Sequence, residues 1–250
     1  MNLVKRARLG AHTLLILSHK TVIKSIKDHM TCVLGIILCH IVSSVYGHGM
    51  IHDQIDALTR QIQSRSYSSA LYLKRGRLYV EDENYAAARY DFERALNIDH
   101  ENRSAHYYLG VLALKEDRYS EVEHRANAFL SSLRGESGAL ARGHRLLGSA
   151  YQGLKDYRRA AEAYQACIDH AQEPRPEFFL DLSQAYQQAH EYDKALGALE
   201  QGSRQLGQLA VFNDRALRIE IAIGSYNDAL HRIDNMIAEG KRCLLYTSPS

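Results

Sequence analysis

The chain has 250 residues, 46% hydrophobic and 24% charged, with 16 Tyr, no Trp and only three prolines. This is the composition of a helical globular protein and excludes a disordered or collagen-like chain. The net charge of +2 hides an asymmetry: residues 1–47 hold six Lys/Arg against one acid, +5, and the rest holds 25 against 28, −3. The body therefore offers no global basic bias to nucleic acid or to an anionic membrane surface.

At the N-terminus, Lys20, Lys24 and Lys27 precede an apolar run from Thr31 that ends in Val45-Tyr46-Gly47. The order basic, apolar, small is that of a secretory signal, with cleavage expected after Gly47; an uncleaved N-terminal anchor is the alternative. Residues 48–68 follow, in which Ile51, Ile55, Leu58 and Ile62 share one helical face and predict a capping helix.

From residue 69 onward the sequence repeats. Gly76 and Gly110 stand 34 residues apart, and Gly148 opens a third copy. Tyr79, Tyr85, Ala88, Phe92 and Ala95 occupy positions matched by Tyr151, Tyr157, Ala160, Tyr164 and Cys167, and again by Tyr186, Tyr192, Ala195, Leu199 and Gly202. A weaker copy shows Gly224-Ser225-Tyr226, Ala229 and Ile233. Periodicity on this scale, with apolar residues at helical spacing, predicts stacked helical hairpins that bury a continuous core together. Small slots let helices approach, and large slots fill the space between units. The boundaries expected are 69–102, 103–136, 141–174, 176–209 and 210–242. In the second copy Ala126 and Phe129 exchange a large for a small slot, and Gly135-Glu136-Ser137-Gly138-Ala139 is expected to enlarge the loop before the third.

The pattern resembles the tetratricopeptide-repeat family, in its exported bacterial form, over about residues 69–242. That resemblance implies an all-α fold, a right-handed α-solenoid of tandem helix-turn-helix hairpins, and a non-catalytic scaffold that binds a protein or peptide on its concave face. Residues 243–250 resemble instead a translated sequencing adapter, which would leave the reading frame continuing past residue 242.

On the face lined by the first helix of each pair stand Lys74, Arg77, Tyr107, Tyr108, Val111, Lys115, Arg142, Arg145, Gln184 and Gln188. Tyr platforms with Arg donors suit an extended acidic or C-terminal segment. Leu73 and Arg77 stand where the family's terminal-carboxylate clamp would begin, so that particular role is not expected. No catalytic residue and no cofactor are expected, since no nucleophile elbow, phosphate loop or HExxH spacing occurs. Cys167 is expected to be a small buried residue. The expected partners are proteins or peptides, not nucleic acid, and not a membrane except through an uncleaved anchor; the expected location is the periplasm or exterior. Two alternatives stay open: a copper- or small-ligand-binding accessory protein using His48 and His52, or a fragment of a longer protein with a further domain.

Overall fold

The computed structural model describes residues 50–133 and 135–247, with side chains to residue 238. The leader, His48 and residues 248–250 lie outside the described residues. Two compact units divide after Gln61. Helix α1 (residues 50–64) buries Ile55 and Ile62, two members of the expected stripe.

The second unit holds five hairpins and, among the described residues, no strand. They are α2 (Ser69–Glu81) with α3 (Tyr85–Ile98), α4 (Arg103–Lys115) with α5 (Tyr119–Ser131), and α6 (Ser137–Gly153) with α7 (Tyr157–His170). After them come α8 (Pro176–Gln188) with α9 (Tyr192–Leu206), and α10 (Ala210–Ala222) with α11 (Tyr226–Thr247). Each helix also packs on the next in sequence, so the all-α solenoid read from the repeats is the observed fold.

The turn inside every hairpin is built the same way. Glu83, Asp117, Lys155, His190 and Gly224 all have φ between 55° and 80°, and each ends the first helix of its pair. The residue after each donates its backbone N–H back five residues: Asn84 to Tyr79, Arg118 to Ala113, Asp156 to Tyr151, Glu191 to Tyr186, Ser225 to Glu220, all at 2.8–2.9 Å. This left-handed cap satisfies a carbonyl that the helix end would otherwise orphan. Asn84 and Asp156 then start the second helix by accepting the backbone N–H of Ala87 and Arg159.

Close packing accounts for the small slots. A Cβ on Gly76 would stand 2.6 Å from Phe92 Cε1, and one on Gly148 2.6 Å from Tyr164 Cε1. In each case the ring of the second helix lies directly over the glycine of the first. The second hairpin solves the problem differently. Ala126 leaves room that Leu146 of the next hairpin fills, while Phe129 meets Gly143 of α6. The large-for-small exchange thus conserves volume across the joint.

One feature differs from expectation. The 135–139 segment does not enlarge a loop: Ser137, Gly138 and Ala139 form the first turn of α6, which runs 17 residues against 13 in α2, α4, α8 and α10. Ala139 is buried there, so packing overrides the low helical preference of its glycine-rich neighbours. Asp91 is wholly buried, and Arg75 donates Nε and Nη2 to its two carboxylate oxygens at 2.7 Å each. Glu220 is buried in the same way by a two-pronged bond from Arg232.

Candidate functional site

Successive first helices touch one another (α2 with α4, α4 with α6, α8 with α10), which places them together on one face of the solenoid. On that face a cavity of about 670 Å3 opens between α4, α6 and the start of α8. Of the ten residues expected there, Tyr107, Val111, Arg142 and Arg145 line it. Leu114, Glu173, Arg175 and Phe178 complete the parts that matter chemically.

The floor is aromatic, and three arginines and one acid, Glu173, line the walls. The Tyr107 ring packs on Phe129 at 5.2 Å and lies 5.9 Å from the Arg142 guanidinium. Phe178, buried, carries Arg175 at 5.0 Å and Arg145 at 5.5 Å. Burial raises the Tyr107 phenol above its ordinary range, and the positive field of Arg142, Arg145 and Arg175 pulls it back, so all three charges bear on one hydroxyl. Arg145 donates only Nε to Asp181 (2.9 Å), across from α6 to α8. Burial pushes the Asp181 carboxyl up, against the opposing pull of Arg145. That bridge fixes one face of the guanidinium and leaves its two terminal nitrogens free for a ligand. Arg142 and Arg175 lie against aromatic rings, Tyr107 and Phe178. Three planar guanidinium groups thus stand around an aromatic floor, a donor set whose geometry matches carboxylate oxygens.

The other expected residues are more dispersed. Arg77 lies over Tyr108 at 5.7 Å, Tyr108 stacks on Phe92 at 5.2 Å, and Lys115 lies over Tyr85 at 5.0 Å. These contacts tie the first two hairpins together. Lys74 is exposed. Gln184 accepts a bond from Arg215 Nη2 at 3.0 Å, and Gln188 lines a separate cleft at the turn ends beside Lys155 and His190. Arg175 and Phe178 went unread in the sequence because they fall at the hairpin junction and first turn of α8, outside the stripe. The signal available was Arg175-Pro176, a proline opening a helix with a cation just before it.

Burial raises the Cys167 thiol to about 11, consistent with a small packed residue and with no reactive thiolate. His52 lies exposed on α1. Among the described residues no group of three or more His, Cys, Asp or Glu is placed to hold a metal ion, and no helix is long and apolar enough to cross a membrane.

Five helical hairpins of one register, each closed by the same left-handed cap, define a helical-repeat solenoid. Residues 69–102 and 142–172 match the sequence profile of the tetratricopeptide repeat. These two segments are tetratricopeptide repeats, and the hairpin array around them has the fold of that repeat class. No curated protein sequence matches it. Solved structures with the same fold include MamA (residues 41 to the end) from Desulfovibrio magneticus RS-1. It is 18% identical, with a TM-score of 0.55, over 60% of this chain and 82% of that one. YrrB, described as a repeat protein of this family with an unusual peptide-binding site, aligns at 17% identity and a TM-score of 0.60, over 74% and 92%. PilF from Pseudomonas aeruginosa aligns at 17% and 0.60, over 74% and 82%. At these identities the likeness establishes the fold.

Proposed function

We propose that the chain is a non-catalytic scaffold, exported from the cytoplasm, whose first-helix face holds an extended acidic segment of a partner protein. The carrying observation is the cavity in which Arg142, Arg145 and Arg175 surround Tyr107 and Phe178. Repeat solenoids use their extended inner surface for binding, and aromatic and arginine anchors dominate the energetics of such contacts. The peptide-binding site named for YrrB supports the same kind of use here. Export rests on the order of Lys20, Lys24 and Lys27, the apolar run and Gly47.

The test is binding of fluorescent peptides to the full chain. Peptides rich in Asp and Glu are expected to bind more tightly than their amide counterparts and to weaken as salt rises. Reversing Arg142 and Arg175 to Glu together should weaken them about tenfold or more. Equal binding of acidic and amide peptides, or an unchanged double variant, would remove the acidic-segment reading. Fractionation of expressing cells, with N-terminal sequencing of the product, checks export; a cytoplasmic chain that begins at Met1 would sink it.

A further inference from the structure

The cavity between α4, α6 and the start of α8 is divided by chemistry as well as by helix. Its α4 side is apolar. Tyr107, Val111 and Leu114 stand at i, i+4 and i+7, share one face of the helix, and all line the space. Each is half-buried, packed underneath on the core block that holds Val122, Ala126 and Leu146, so an occupant meets their outer surfaces. The other side is charged. Arg142 and Arg145 come from α6, and Arg175 is the residue just before α8.

Charge limits how acidic the occupant is. The lining carries three arginines against the single acid Glu173, a surplus of two positive charges, and Asp181, bonded to Arg145 Nε, lowers it to one. A run of consecutive acids would bring more negative charge than this surface neutralises, and the exposed Glu173 would repel it. One or two acids match. Geometry limits their order. In an extended chain successive side chains point to opposite sides, with residues i and i+2 roughly 6.6–6.8 Å apart on the same side. A chain lying between an apolar side and a cationic side satisfies both only if its acidic and apolar residues alternate.

Building on the acidic-segment reading above, on which this rests, we infer that the cavity selects the order acid–apolar–acid in an extended segment of its partner protein. The two carboxylates face Arg142, Arg145 and Arg175, and the apolar side chain between them packs on Val111 and Leu114. Main-chain extension sets the spacing, and the two sides of the cavity set which residue type each position takes. Polyacidic stretches, and the same residues in block order, are poorer ligands.

The probes are fluorescent peptides of equal length, identical in their Gly-Ser flanks, with the cores Glu-Leu-Glu, Glu-Glu-Leu, Glu-Ser-Glu and Gln-Leu-Gln. On the full chain Glu-Leu-Glu should bind most tightly. The block-order and serine cores should each be weaker by about tenfold, the first because one side is left unmatched and the second because no apolar side chain is buried. Val111→Asn should bring Glu-Leu-Glu down towards Glu-Ser-Glu and leave Glu-Ser-Glu unchanged. The peptide ranking is read on the unaltered chain, so it decides the matter even if Val111→Asn disturbs α4. Glu-Glu-Leu or Glu-Ser-Glu binding as tightly as Glu-Leu-Glu overturns the inference and leaves the acidic-segment reading standing. Gln-Leu-Gln binding as tightly as Glu-Leu-Glu, or no peptide binding at all, removes both.

Discussion

Asp91 shows how an off-pattern pair can be accommodated inside a repeat. Its carboxylate is wholly shielded, and Arg75, itself 12% exposed, is its partner. The Asp91 bond is the largest influence raising the Arg75 guanidinium. In the next three hairpins the position of Arg75 is held by Leu109, Leu147 and Leu182, and that of Asp91 by Arg125, Ala163 and Ala198. Removing one partner strands a buried charge, so Asp91→Ala should cost about 3–5 kcal/mol by urea unfolding. The double variant Arg75→Leu/Asp91→Ala, which restores the pattern of hairpins three and four, should recover most of that loss. A double variant as unstable as the single would mean the pair contributes more than mutual neutralisation. Ser183 presents the reverse case. It occupies the slot of Gly76, Gly110 and Gly148, fully buried, and its Oγ finds no protein partner. Ser183→Ala should therefore stabilise the chain by about 1 kcal/mol. The small slots were legible in the sequence because each is a single position in register. The Arg75–Asp91 pair was not, because its signal is two departures 16 residues apart, each of which reads alone as a surface charge.

At the level of elements, the left-handed caps decide where each first helix stops. Only the fifth hairpin uses glycine, at Gly224 with φ 80°; the others force Glu83, Asp117, Lys155 and His190 into a region that L-residues enter at a cost of roughly 1–2 kcal/mol. Opposite substitutions should therefore have opposite signs. Gly224→Ala should destabilise by about 1 kcal/mol, and Lys155→Gly should stabilise by somewhat less, since glycine gains entropy in the unfolded chain. Thermal unfolding of the two variants checks this, and equal signs would show that the turn is not held by its backbone conformation. The sequence announced these turns through Glu83-Asn84-Tyr85 and Lys155-Asp156-Tyr157, because polar residues interrupt apolar periodicity there. It misdirected at Gly135–Ala139. Glycines and serine read as loop, and the burial of Ala139 that draws the segment into α6 depends on its packing partners, which local composition does not carry.

Across the whole repeat unit, the core runs in three blocks. One joins α2, α3 and α4, a middle block lies between α4, α5 and α6, and the third spans α6 to α10. Stability in such arrays is nearly a sum of units and nearest-neighbour interfaces, so a weak joint shows as a separate transition. His106 and His144 occupy the same slot in the second and third hairpins, where Tyr72 and Phe179 stand in the first and fourth. Both imidazoles are half-buried, and burial lowers each below the ordinary value of 6.5, with Arg125 and His124 adding to the effect at His106 and His170 at His144. The rings of His144 and His170 stack at 5.4 Å, 11° from parallel, a geometry that suits neutral imidazoles. A lowered folded-state pKa means the unfolded chain takes up protons first. Stability is then full above about 6.5 and declines as pH falls from there towards the folded-state values. Since both histidines lie beside the middle block, acid should separate the unfolding of the first two hairpins from that of the last three. Thermal scans from pH 7.5 downward should show one transition splitting into two. His106→Phe/His144→Phe, which installs the aromatic type of the flanking hairpins, should keep a single transition and a flatter pH profile. A double variant with the parent's acid sensitivity would place the weak joint elsewhere, and not at the Arg145–Asp181 bridge, whose carboxyl is raised by burial and so takes up its proton preferentially in the folded chain.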